Sequence, residues 1–197
     1  MKEKVLVVES KDFNLHYGDD NNRIIRVDEK SFLDYVNSKH KFISRDLVEN
    51  DFNYKQIISY CLIKYKNYVF MTKRKNTQSE RRLHNLYSVG IGGHINSIDM
   101  SEKDNILIIG MQRELFEEVS IETEYNYNLL GIINDNSTNV NKVHAGVCFI
   151  VELKEKKCGV KENHKMDGEW ISFNDLQKYH NYLEIWSKIL INSIKDD

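Results

Sequence analysis

Glu114, Glu117 and Glu118 stand at i, i+3 and i+4 in a segment whose apolar residues, Ile108, Met111, Leu115 and Val119, recur at helical spacing. At about 100° per residue those four side chains share one side of a helix and can face a sheet, while the three carboxylates converge on a neighbouring edge. Arg113 lies one turn before Glu117 and can pair with it. Clustered carboxylates repel one another unless cations sit among them. Magnesium or manganese takes oxygen ligands of this kind and commonly keeps waters and substrate phosphate oxygens as well. Such an ion neutralises diphosphate charge and lowers the pKa of a bound water, which is what phosphoanhydride cleavage needs. Acidic residues at this spacing are more often a solvated helix face, so the helix alone does not decide.

The deciding context lies upstream, in Tyr87-Ser88-Val89-Gly90-Ile91-Gly92-Gly93-His94-Ile95-Asn96. Glycine lets backbone approach a metal or a phosphate closely. With this run in front of the acidic helix, the chain resembles the Nudix hydrolases, whose box is written G-x5-E-x7-R-E-U-x-E-E-x-G-U with U apolar. Gly93 matches the opening glycine, and Arg113, Glu114, Leu115, Glu117, Glu118 and Ile121 match the second half. Two departures stand out. Arg113 follows Gly93 by 20 positions, six more than the box allows, which places a longer loop around Ser97 to Lys103. Counting back from Arg113 puts Asn105 where the box has its first glutamate, with Glu102 or Asp104 as substitutes, and Ser120 replaces the closing glycine. A narrower likeness, to Nudix phosphoesterases with a longer box loop, rests on Ser44-Arg45-Asp46, Tyr54-Lys55-Gln56-Ile57-Ile58 and Glu80-Arg81-Arg82-Leu83-His84. The resemblance spans roughly Arg45 to Asn174.

The resemblance implies roles for further residues. A carbonyl of Gly92 or Gly93 would join Glu114, Glu117 and Glu118 in the shell of Mg2+ or Mn2+. Glu162 or Glu169, the latter in Asp167-Gly168-Glu169-Trp170, would complete that shell from another loop, with Asp135 and Asn136 as weaker candidates. Glu114 is favoured as general base, with Glu118 next. Arg74, Arg82 and His94 would contact substrate, although Arg74 also reads as a solvated hairpin end, Arg82 as a partner of Glu80, and His94 as a structural histidine.

The elements that must position these groups follow from pattern. Gln56 to Tyr65 and Tyr68 to Lys73, rich in Ile, Tyr, Val and Phe about the turn Lys66-Asn67, predict a hairpin. Leu86 to Ile95 reads as a glycine-interrupted strand, Asn105 to Val119 as a helix, and Tyr127 to Asn134, Val143 to Leu153 and Glu169 to Phe173 as strands. Asn174 is expected to cap a helix through Leu176, and Tyr182 to Ile194 forms a last amphipathic one. Before them, Lys4 to Val8 and Arg23 to Val27 read as strands, and Ser31 to Asn37 as a helix capped by Ser31. Strands and helices without regular βαβ alternation predict an α/β protein with a mixed sheet. The resemblance sharpens this to a Nudix-type α/β/α sandwich at 51–197, preceded by a small extension at 1–50 that packs on it or helps form a homodimer.

At 197 residues the chain can bury one good core. A net charge of −2 argues against a nucleic-acid binder, and no apolar stretch reaches the roughly 18 residues of a membrane span. Cys61, Cys148 and Cys158 form no C-x-x-C pair and read as reduced thiols of a cytoplasmic protein. The expected function is metal-dependent hydrolysis of a diphosphate bond in a nucleoside diphosphate-linked or similar small molecule. Two alternatives keep the fold: a prenyl-diphosphate isomerase, for which Cys61 is the cysteine to test, and a non-catalytic nucleotide-ligand sensor.

Overall fold

The computed structural model describes residues 2–18, 23–75, 86–101, 104–161, 164 and 166–195. The chain opens with β1 (Lys4–Glu9), α1 (Ser10–Tyr17), α2 (Glu29–Lys39), β2 (Lys41–Ser44) and the single turn α3 (Arg45–Val48). The hairpin follows as β3 (Tyr54–Tyr65) and β4 (Tyr68–Arg74), then two short strands, β5 (Tyr87–Ser88) and β6 (Gly90–Ile91). Next come the acidic helix α4 (Ile106–Glu118), β7 (Val119–Ile121), β8 (Tyr125–Ile133), α5 (Asn139–Lys142) and β9 (His144–Leu153). The last elements are β10 (Cys158–Val160), β11 (Met166–Ser172), α6 (Leu176–Tyr179) and α7 (Ile185–Lys195).

β3 organises the sheet. One edge pairs in parallel with β9 from Gln56 to Lys64, and β8 adds antiparallel to the far side of β9. The other edge is shared by β1, the glycine-rich strand and β4, with β2 outside β1 and β11 outside β4. The sheet is therefore mixed. Side chains alternate across it: Ile57, Cys61 and Ile63 of β3 meet Met111 and Leu115 of α4 with Phe13 and Phe32 of the first two helices. Tyr60 and Leu62 point the other way, into a core with Leu190 and Trp186 of α7. Helices thus cover both faces, giving the α/β/α sandwich.

Several local expectations are corrected. Arg23 to Val27 forms only a bridge between Ile25 and Ile132, opposite the point where β8 breaks register between Leu129 and Gly131. Asp28, not Ser31, caps α2, its carboxylate accepting from the Ser31 amide at 2.9 Å. Asp175, not Asn174, precedes α6. No helix among the described residues is long and apolar enough to cross a membrane.

Candidate active site

Helix α4 starts where its sequence says it should. The Asn105 side chain accepts from the Leu107 amide at 2.9 Å, satisfying one of the first turn's free donors. Gly110, Met111 and Leu115 are buried against the sheet, and Glu114, Glu117 and Glu118 run along the adjoining edge. Arg113 anchors that edge. Its Nε and Nη2 donate to the two oxygens of Asp99 at 2.7 and 2.9 Å, a bidentate pair in which Asp99 is 1% exposed. Nη2 also reaches the His94 carbonyl at 2.8 Å, while Nη1 donates to Glu114 at 2.6 Å and Glu117 at 3.3 Å. Asp99 in particular, through its hydrogen bonds, raises the Arg113 pKa further, so the guanidinium is a fixed charge.

Asp99 corrects the position expected at Asn105. Counted forward from Gly93 it falls where the box has its first acid, so the six extra residues lie between Asp99 and the helix. Counting from the glycine instead of from the arginine finds it. Asp104 is exposed and bonds Ser101, while Glu102 lies outside the described residues. Asp99 also accepts from the Asn96 amide at 2.7 Å, closing the turn that leads away from the glycine-rich strand.

Gly92 and Gly93 approach this edge from β3's side. The Gly93 carbonyl accepts from the Ser59 amide at 2.9 Å, so Gly92 takes the alternate ladder position, pointing away from β3. No described group donates to the Gly92 carbonyl. A Cβ at Gly93 would stand 2.4 Å from Glu114 Oε2, so only glycine lets that carboxylate lie against the backbone. Glu114 is 14% exposed and Glu117 59%. Burial raises the Glu114 pKa, and Arg113 opposes the rise. The carboxylates share the edge, yet among the described residues no three acidic or histidine groups converge on one point. Arg113 draws the Glu114 carboxylate towards its guanidinium.

These groups line a cleft of about 830 Å3 together with Gly92, Gly93, His94, Tyr60, Ser88, Glu184 and Trp186. His94 is buried, its Nε2 2.9 Å from Gln56 Oε1, and burial pushes its pKa down to about 2. Glu169 is not brought to the cleft: it is exposed in the middle of β11, opposite Met71. Asp135 is buried by bonds to Ser137 and Asn141, a structural role. The Arg74 side chain, Arg82 and Glu162 lie outside the described residues. Cys61 is buried in the core, where desolvation raises its thiol pKa, and it does not line the cleft. Tyr60, Glu184 and Trp186 had no signal in the sequence, since they meet only through the fold.

No family model matches the chain. Protein YmaB of Bacillus subtilis (strain 168) is 33% identical over 166 residues, 81% of each chain. The solved structure of Tm1382, provisionally classed as a Nudix hydrolase, superimposes with a TM-score of 0.83 at 34% identity, covering 96% of this chain and 97% of its own. The Nudix domain of Shewanella oneidensis NrtR, solved with ADP ribose, shares the fold at a TM-score of 0.56 and 16% identity, over 72% of this chain and 87% of its own. With a full-length relative at this identity and the box residues in their places, the chain belongs to the Nudix hydrolase family.

Proposed function

We propose that the protein hydrolyses a diphosphate bond in a nucleoside diphosphate-linked or similar small molecule, using Mg2+ or Mn2+. One observation carries this reading: an Arg113-anchored row of carboxylates that lines, together with Gly92, a cleft large enough for such a substrate. The donor set fits the cation, being all oxygen and rich in negative charge. Glu117, Glu118 and the Gly92 carbonyl would hold it, and when bound it would neutralise diphosphate charge and acidify water. Glu114 is the general base: it is 14% exposed, its pKa is raised by burial, and Arg113 and Gly93 fix its carboxylate. Arg113 positions Glu114 and Glu117. His94 shapes the cleft through its ring and holds Arg113 through its carbonyl. The Cys61 thiol, buried away from the cleft, gives no support to isomerase chemistry. The three free cysteines suit a cytoplasmic setting.

The test is turnover of a panel of dinucleotides and sugar nucleotides with magnesium or manganese. Glu117→Gln should lose both Mn2+ binding and turnover with unchanged thermal unfolding. Glu114→Gln should keep Mn2+ binding and lose at least about a hundredfold in kcat. Full activity of Glu117→Gln would refute the metal site, and tight ligand binding without turnover in the wild type would favour a sensor.

A further inference from the structure

The strand that leads into the site is soft by its own sequence: Gly90, Gly92 and Gly93 leave three of four consecutive positions without a side chain. Glycine has the most backbone freedom to lose on folding, so neighbouring groups must set the path of this stretch. Within the sheet β3 does so, pairing Leu62 with Gly90 and Cys61 with Ile91, and donating the Ser59 amide to the Gly93 carbonyl. Out of the sheet plane, the strand lies between two side chains on opposite faces. On the α4 face, Glu114 stands against Gly93, 2.4 Å from where a Cβ would be. On the α7 face, Tyr60 stands against Gly90, where an added Cβ would fall 1.9 Å from the ring carbon Cζ.

Tyr60 is itself held by Glu184, the half-buried residue just before α7. The Tyr60 hydroxyl donates to Glu184 Oε1 at 2.5 Å, and the same oxygen has Ser88 Oγ at 2.8 Å and Ser187 Oγ at 3.3 Å. Two backbone groups of the strand join in. The Glu184 amide donates to the Tyr87 carbonyl at 3.0 Å, and the Val89 amide donates to Ser187 Oγ at 2.9 Å. Tyr87, Ser88, Val89 and Gly90 are therefore each touched by the first turn of α7 or by the tyrosine it holds. A carboxylate suits the centre of this cluster, since an ionised acceptor binds hydroxyl donors about twice as strongly as a neutral one. Burial, and the Glu184 charge after it, keep the Tyr60 pKa well above its ordinary value, so the hydroxyl remains a donor.

We propose that Glu184 is a positioning residue for the metal site: by holding Tyr60 and Ser88 it fixes the glycine strand, so that the Gly92 carbonyl and the Glu114 carboxylate meet the cation in one geometry. The inference rests on the reading of Gly92 and the acidic row as the cation's site. Glu184 acts through the strand, and it touches neither the cation nor the reacting phosphorus.

The test measures Mn2+ binding by electron paramagnetic resonance, and turnover of whichever panel member reacts fastest, in the full-length protein. Glu184→Ala should weaken Mn2+ binding by about tenfold and lower kcat by at least as much, as loss of a residue that orients metal ligands does. KM at saturating Mn2+ should stay within about twofold of wild type, because the residue does not bind substrate. Glu184→Gln keeps an acceptor oxygen and should recover most of both losses. Tyr60→Phe removes the hydroxyl but keeps the ring, and should shift Mn2+ binding and kcat in the same direction by about threefold even if Glu184→Ala does not fold. Mn2+ affinity and kcat within about twofold of wild type in these variants, with only earlier thermal unfolding, would overturn the proposal. So would a raised KM with Mn2+ binding and kcat unchanged, which would make Glu184 a substrate contact. Loss of Mn2+ binding in Glu117→Gln but not in Glu184→Ala rejects this positioning role alone, whereas Mn2+ binding retained in Glu117→Gln rejects the metal site itself.

Discussion

A Cβ added at Gly93 would meet the tip of Glu114, a side chain that can swing away, whereas one at Gly92 would stand 2.1 Å from the Ser59 carbonyl of a paired strand. Gly92 also holds φ at +148°, which L side chains rarely adopt. Gly92→Ala should therefore destabilise the protein by about 2 kcal/mol or more, seen as an earlier urea midpoint. Gly93→Ala should unfold within about 1 kcal/mol of wild type yet lose at least about tenfold in metal-dependent turnover, because Glu114 is displaced. Equal stability loss in both variants would contradict this division. At this scale the sequence announced the glycines and the acids, whose types and spacing are local. It did not announce Glu184 and Tyr60, which are 124 positions apart and meet only across the packed sheet and α7.

Helix α4 was legible because apolar residues recur at its period, and Met111, Leu115 and Val119 of that row are buried. Helix α1 was not: Phe13 is its one deeply buried large side chain, and Leu15 is 85% exposed, so no stripe marks it. The strands β3 and β9 were legible one by one, yet their parallel pairing depends on connections that local pattern does not encode. How α4 is docked is the consequential point. Asp99 grips Arg113 across the loop, and Gly110 admits it, since a Cβ there would stand 2.9 Å from Asp99 Oδ2. Asp99→Asn leaves Arg113, 18% exposed, short of its bidentate partner. A loss of about 2 kcal/mol in chemical unfolding is expected, with a drop in kcat as the Arg113 fork turns. A variant as stable and active as wild type would show the grip to be incidental.

Across the whole molecule, a buried relay joins the N-terminal segment to the site. Gln56 Nε2 donates to the Val48 carbonyl at 3.4 Å, so its oxygen accepts from His94 Nε2, while the His94 carbonyl holds Arg113. Because burial depresses the His94 pKa from 6.5 to about 2, the folded state keeps it neutral while the unfolded chain takes up a proton below pH 6.5. Its contribution is complete above that pH and drains as pH falls towards 2, by up to about 1.4 kcal/mol per pH unit. Urea unfolding at pH 8 and pH 5 should show this loss, and His94→Gln should make the dependence shallower; an unchanged slope would sink the assignment. β1 lies between β3 and β2, and the Leu6 amide donates to the Ile95 carbonyl at 2.7 Å beside the glycines, so the first residues buttress the strand that carries them. The Asp99–Arg113 grip has one more effect. It holds the two halves of the signature together although Arg113 follows Gly93 by six positions more than the box allows. The family's mark in this protein is two half-motifs closed by a buried clasp, recognisable by where they meet in space and invisible to any pattern that counts a fixed gap.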